Sequence, residues 1–207
     1  MKNIDKTKKE FEKSLFILLE NKNYHDITIN EICALANKTK MTFYHYFKDK
    51  ESLLATAFVN LINSEYNEEY EKIIKKETNL EEIEYLSTVA IYELIARHYN
   101  QIRNLSYKGD TFYLEIFKNA LFNNYSKYLS NLIDNSGYDI PIDYVSIIFF
   151  EGLYGSCLYY AEQLKISKNK KKTKEKNKML CRFLAKTIMA IIKIDYSNIY
   201  NFDSNNQ

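Results

Sequence analysis

Four glycines and one proline are all the conformational punctuation that 207 residues carry. Sandwiches, barrels and doubly wound sheets need turn residues at short intervals, so this scarcity argues against each of them. Long helices joined by few turns satisfy it. The fold class expected is all-α, with about nine helices, and the length is ample for a packed core.

The formal net charge of +2 says little until it is divided along the chain. Residues 1–52 hold ten lysines against eight acids, and 53–164 hold eight basic against 16 acidic residues. Residues 165–178 (KISKNKKKTKEKNK) hold eight lysines and one glutamate. A modestly basic head therefore precedes an acidic body and a Lys-rich segment, which reads as a solvated connector. An acidic body repels nucleic acid, so any DNA contact is expected to be confined to the head.

Several function classes are disfavoured by what the sequence lacks. Met1 to Lys6 leads into charged residues rather than an apolar signal core. No run approaches the length of a membrane span, so no membrane partner is expected and the location expected is cytoplasmic. Cys33, Cys157 and Cys181 are odd in number and lack ligand spacing, so they read as buried thiols in a reducing compartment, with no metal site. His25, His45 and His98 form no nucleophile–base pair, and no glycine loop could cradle a phosphate. The chain is not expected to be an enzyme or to carry a cofactor.

Helical periodicity places Phe11, Leu15, Leu18 and Leu19 on one face of a first helix over about residues 4–21. Thr28-Ile29-Asn30-Glu31 has the form of a capping box that starts a short helix, with Ile29, Ile32, Cys33 and Ala36 inward. Asn37-Lys38 interrupts, Thr39 caps a second short helix from Lys40 to Tyr46, and Asp49 caps a long helix from Lys50. Later helices are expected from Asn79 to about Tyr99, over 101–107, from Gly109-Asp110 to about Ile133, from Pro141 to about Leu164 and from about Glu175 to Ile194. Ser136-Gly137 separates two of these, and the terminal NFDSNNQ reads as frayed.

Two short helices joined by a three-residue turn and flanked by longer ones have the organisation of a helix-turn-helix. Cys33 and Ala36 are small where the helices would cross, and Asn37 is the best non-glycine choice for a left-handed turn residue. Phe43 and Phe47, four apart, can anchor the second helix inward. That leaves Lys40, Met41, Thr42, Tyr44 and His45 on outward faces.

The stretch Tyr24 to Ile32, continued by Thr39-Lys40-Met41-Thr42-Phe43-Tyr44-His45-Tyr46-Phe47-Lys48-Asp49-Lys50-Glu51-Ser52-Leu53-Leu54, resembles the DNA-binding domain of the TetR family of transcriptional regulators. With its flanking helices the resemblance covers residues 4–60. Arg103 to Phe112 is more loosely similar to the C-terminal domain of dihydroxyacetone-kinase-regulator-like members. Two departures stand out: Asn37-Lys38 replaces the usual Gly-Val turn, and Met41 stands where glycine is common. Lys38 must direct its ammonium outward, where it becomes available as an extra phosphate contact.

The resemblance implies a DNA-binding domain over 1–50 and an effector-binding and dimerisation domain over 51–207. It implies that Thr42, Tyr44, Tyr46 and Lys50 hold phosphates, with Thr28 and Thr39 beside them as helix caps. Lys40, Met41 and His45 are the candidates for base edges: lysine can donate to guanine and methionine can meet a thymine methyl. Tyr46 is equally readable as core, and Lys50 as a first-turn residue. In the body, Tyr85, Tyr92, His98, Arg103, Tyr107, Phe112, Tyr113 and Phe117 are candidates for an effector pocket, or for ordinary core. Gly152, Gly155 and Ser156 suit close helix approach across a dimer interface, or within one chain. The function expected is a ligand-responsive homodimeric repressor with a double-stranded DNA operator and an unidentified small-molecule effector. The alternative is a helical interaction module that keeps the scaffold without binding an operator.

Overall fold

The computed structural model describes residues 2–134 and 142–192. The expectations on Ser136-Gly137, Pro141 and the terminal NFDSNNQ lie outside the described residues. Among those described, the elements are α1 (Lys2–Leu19), a 3-10 turn (Tyr24–Asp26), α2 (Ile29–Leu35), α3 (Lys40–Tyr46), α4 (Lys50–Leu61), a π-helical segment (Ile62–Asn67), α5 (Glu68–Lys76), α6 (Leu80–Arg97), α7 (Tyr99–Arg103), α8 (Phe112–Asp134), α9 (Ile142–Ile166) and α10 (Lys170–Ile192). The all-α class follows directly, and counting the run 50–76 once gives nine helical segments among the described residues. These segments form two compact units, one of residues 1–67 with 97–121, the other of 68–96 with 122–207.

The first unit is started and stopped by local chemistry that the sequence announces. Thr28 accepts from the Glu31 amide while Glu31 returns to the Thr28 amide, so α2 begins with a complete capping box. Thr39 caps α3 by accepting from the Thr42 amide, and Asp49 caps α4 by accepting from the Ser52 amide. Asn37 takes φ 52°, the left-handed turn that lets α3 leave α2 at an angle.

Burial then locks the unit. Phe11, Leu15 and Leu19 of α1 are fully buried together with Ile32, Phe43, Leu53, Leu54 and Phe58. Phe11 meets Phe43 edge-on at 5.4 Å and Phe47 at 6.1 Å. Truncating a ring so enclosed as Phe43 to alanine costs about 3–5 kcal/mol. The inward face of α3 is thereby fixed, and its outward face with it.

Three elements depart from the sequence expectation. The long helix from Lys50 is not purely α: Ile62–Asn67 winds as a π-helix, with Ile62 and Tyr66 buried. Such a turn shifts the helical register, and here Glu65 accepts from Arg97 (Nη2, 2.9 Å) and pairs with His98 (Nε2, 2.9 Å). Next, residues 107–110 close a two-residue turn in which Tyr107 and Asp110 exchange backbone bonds of 3.0 and 2.8 Å. Lys108 at φ 48° and Gly109 at φ 88° supply the positive angles that this turn demands.

The third departure corrects the reading of the Lys-rich segment. α10 begins at Lys170, not near Glu175, so most of the expected connector is helix. Asn169 accepts from the Lys172 amide at 3.0 Å and caps it, and lysine is a good helix former once a cap exists. In the second unit, α9 packs against α10, and Cys157, Tyr160 and Ala161 on the one and Cys181, Ala185 and Ile188 on the other are buried.

Candidate nucleic-acid interface

The α2–turn–α3 unit determines which side chains face water. On α3, Phe43 is fully buried, while Met41 is 82 % exposed and Tyr44 56 % exposed. Lys40 and His45 are exposed, and Thr42 and Tyr46 are half-buried. A seven-residue helix anchored by one phenylalanine thus presents a cation, a thioether, a phenol and an imidazole on its free surface. Thr39 and Thr42 pair hydroxyls at 3.0 Å, and the Thr28 hydroxyl donates to Glu31 at 2.8 Å. All three threonines therefore serve the helix starts whatever else they touch.

Two lysines sit differently from what the sequence implies. Lys38 turns its ammonium back to Glu10 on α1, 2.9 Å away, and this bond holds the Glu10 carboxyl below its ordinary value. The Lys50 ammonium donates to the carbonyls of Tyr24 (2.9 Å) and Ile27 (2.7 Å) and lies 4.2 Å over the Tyr24 ring. Burial pushes its pKa down. Both cations stitch elements of the first unit together, and neither is a free phosphate clamp. The position at the first turn of α4 explains Lys50: its side chain reaches back across the 3-10 turn that precedes α2.

The same turn is fastened on its other side. The Tyr24 amide donates to the Asn104 carbonyl (2.8 Å), the Asn23 amide group to the Ser106 carbonyl (2.6 Å) and the Asn104 side chain to the Leu19 carbonyl (2.8 Å). His25 stacks on Tyr107 with centroids 5.0 Å apart. Sequence reasoning missed these contacts because each joins residues about 80 apart.

The aromatic and basic residues expected to share a pocket have separate surroundings within their own units. Tyr92 is fully buried with its hydroxyl on Ser156 (2.6 Å), and Tyr85 lies under the Arg182 guanidinium at 3.5 Å. His98 is engaged by Glu65, Tyr107 by His25, and Tyr113 by Tyr24 at 4.4 Å. Phe117 is core against Phe58, whereas Phe112 and Arg103 are exposed. The eight divide between the two units, with Tyr85 and Tyr92 in the second and the other six in the first.

A cavity of about 170 Å³ does open in the second unit, lined among others by Glu84, Thr88, Leu153 and Ile188, and none of the eight lines it. A signal for it exists in the sequence: positions 84, 88, 91 and 95 share one face of α6, which puts an acid and a threonine on the same side as two isoleucines. Of the small residues on α9, Gly152 and Gly155 are exposed, and a Cβ at either would meet nothing within 4 Å. Close approach within the chain therefore does not require them. Ser156 instead bonds inward, to Tyr92 and to the Gly152 carbonyl (2.7 Å).

Residues 16–57 match the sequence model of the bacterial regulatory proteins of the tetR family. The chain carries a TetR-family regulatory domain at its N-terminus. That domain spans the end of α1, the whole helix-turn-helix and the first turns of α4, the region whose outward face has just been described. No curated protein sequence matches the chain.

Solved structures extend the likeness of fold to the helical body. A TetR transcriptional regulator from Streptococcus agalactiae is 21 % identical with a TM-score of 0.53, covering 92 % of this chain and 96 % of its own. The fatty acid degradation regulator FadR of Bacillus halodurans is 13 % identical with a TM-score of 0.61, covering 90 % and 94 %. FadR of Bacillus subtilis, solved in complex with stearoyl-CoA, is 15 % identical with a TM-score of 0.54, covering 88 % and 96 %. The likeness of fold to these structures, a helix-turn-helix head followed by a helical body, therefore covers nearly the whole chain. Among the described residues, no helix is long and apolar enough to cross a membrane.

Proposed function

We propose that this TetR-family regulator is a homodimeric repressor that binds a DNA operator through α3 and releases it in response to a small-molecule effector. The observation that carries the reading is the anchoring of α3: buried Phe43 holds Lys40, Met41, Tyr44 and His45 outward on a helix short enough to enter a major groove. Lys40 donates to guanine edges, Met41 meets thymine methyls and His45 selects among neighbouring bases. Tyr44, Tyr46, Thr42, Thr39 and Thr28 contact phosphate or sugar. Lys38 and Lys50 support the domain from behind.

The dimer is supported by one face of α9. Ile148, Gly152, Gly155 and Tyr159 recur at helical spacing and are exposed, and α10 exposes Met179 and Phe183. Apolar surface of that extent on a soluble helical unit is a mark of association. A homodimer would offer two α3 helices, and helix-turn-helix dimers read half-sites about 34 Å apart. The effector site is the cavity of the second unit, and a ligand acts by favouring one of two spacings of the heads. A chain of this function works in the cytoplasm, where its operator lies.

The test is binding of the full chain to DNA from upstream of its own coding region, across a range of salt. Tight binding that weakens linearly with the logarithm of salt concentration is expected. Tyr44→Ala should weaken it on every fragment, and Lys40→Ala should change which fragment is preferred. Failure to bind any fragment at low salt overturns the proposal and favours an interaction module that retains the scaffold.

A further inference from the structure

The Lys-rich stretch that opens α10 holds more cations than its own structure uses. Its eight lysines, at 165, 168, 170, 171, 172, 174, 176 and 178, are all exposed. Lys174 lies 3.6 Å from Glu93, and Lys165 is engaged as well. The ammonium groups of Lys168, Lys170, Lys171, Lys172, Lys176 and Lys178 form no ion pair among the described residues.

Their placement does not serve the helix either. Lys170, Lys171 and Lys172 form the first turn of α10, which holds no acid. Cations there oppose the positive end of the helix dipole, at about 0.3–1 kcal/mol each. Asn169 starts the helix through the Lys172 amide, a bond that does not use the lysine side chain. An anion placed against the first turn would reverse the repulsion.

The chemistry of the stretch narrows the choice of anion. Residues 167–178 (SKNKKKTKEKNK) contain no apolar side chain and no arginine. A lipid surface is gripped by apolar side chains as well as by charge, and a carboxylate is matched best by the arginine fork. A lysine ammonium holds phosphate as a point charge and reads no sequence in doing so. At 1.5 Å per residue, Lys170 to Lys178 spans about 12 Å of α10, and duplex DNA presents about seven charges over that length. The same span of α10 carries six lysines. Acids elsewhere in the unit are largely screened from such a contact beyond about 10 Å.

Lys172 and Lys176 continue the helical line of Met179 and Phe183, which the dimer reading uses. Lys168 precedes the helix, and Lys170, Lys171 and Lys178 lie off that line. We propose that Lys168, Lys170, Lys171 and Lys178 hold the phosphate backbone of duplex DNA, a sequence-independent contact made by the second unit. The contact adds affinity for every sequence and leaves the choice among sequences to α3. It rests on the charge of α10 and not on operator recognition.

Fluorescence anisotropy of the full chain tests it, on a duplex of unrelated sequence and on fragments from upstream of its coding region, across a range of salt. Replacing all four residues (Lys168→Gln, Lys170→Gln, Lys171→Gln and Lys178→Gln) should lower the slope of log affinity against log salt by about three to four per chain. Affinity at low salt should fall at least tenfold on every fragment, with the order of preference unchanged. The fourfold arginine variant should keep the wild-type slope. Lys72→Gln with Lys75→Gln, both exposed on α5 of the same unit, should leave the slope unchanged, which separates a contact from net charge. Helical circular dichroism and sedimentation should match wild type, since every replaced side chain is exposed. Lys168→Gln with Lys170→Gln should show about half the fourfold effect, and serves if the fourfold variant does not fold.

A wild-type slope in the glutamine variants overturns the inference. So does a slope that the α5 pair lowers as much as Lys168→Gln with Lys170→Gln. Phosphatidylglycerol vesicles or polyglutamate that compete as well as unlabelled DNA of equal charge overturn it in favour of another partner. Wild type that binds upstream fragments but no unrelated duplex at low salt overturns the inference and leaves the regulator reading intact. A lowered slope in the variant of a protein that prefers no fragment supports the inference and counts against operator recognition.

Discussion

Replacing Lys50 by methionine separates a clasp within the head from a phosphate contact. Methionine keeps the apolar stem and removes the ammonium that donates to the Tyr24 and Ile27 carbonyls at 2.9 and 2.7 Å. Each bond from a charged donor contributes about 1.5 kcal/mol at the low end of its range, which suits a half-buried group. The ring contact with Tyr24 adds about 0.5 kcal/mol. Against that total stand the cost of holding the ammonium away from water, visible in its lowered pKa, and the access water gains to the freed carbonyls. A net loss of about 2 kcal/mol remains.

Urea denaturation of wild type and Lys50→Met, followed by helical circular dichroism, measures that loss. The slope of DNA affinity against salt should be unchanged for the folded variant, because no phosphate contact has been removed. A variant as stable as wild type to within about 0.5 kcal/mol, with a salt slope smaller by about one, would refute the reasoning and return Lys50 to the DNA.

Further tests address the turn, a cap and the dimer. Asn37 stands at φ 52°, so Asn37→Gly should keep or raise stability, whereas Asn37→Ala should cost about 1 kcal/mol by denaturant titration. The Glu31 carboxyl is drawn from an ordinary value near 4.5 to about 2, first by the Lys22 ammonium and then by the Thr28 amide. A depressed carboxyl pKa stabilises the fold fully above the ordinary value and loses that effect as pH falls toward the folded one. The stability difference between wild type and Glu31→Gln should therefore shrink between pH 4.5 and 2, and an unchanged difference over that range would count against the pairing. Gly155→Arg adds a side chain where a Cβ meets nothing within 4 Å, so the chain should fold but sediment as a monomer. Sedimentation as a dimer would move the interface elsewhere.

Much of the head is legible before any coordinates because its signals are local. The capping box at Thr28, the cap at Asp49 and the turn at Asn37 each act over three or four residues, and sequence displays that range directly. Phe43 and Phe47 were readable as anchors by their spacing, and with them the outward set on α3. The body is less legible. An aromatic at helical spacing fits core, pocket and interface equally, and Tyr92, Tyr107 and Phe112 turn out to be a buried phenol, a stacked ring and an exposed ring.

What the sequence by itself determined is the all-α class, the starts of α2, α3 and α4 and the face by which α3 meets its surroundings. Each depends on periodicity and on backbone bonds between near neighbours. The tertiary structure alone decided where the charges went. Lys50 finds carbonyls 23 and 26 residues away, Lys38 finds Glu10 on another helix, and Glu84 is carried into an apolar cavity by elements far apart in the chain. A long flexible cation or a buried carboxylate is committed only when packing decides which groups lie within hydrogen-bonding reach, and no local pattern records that choice.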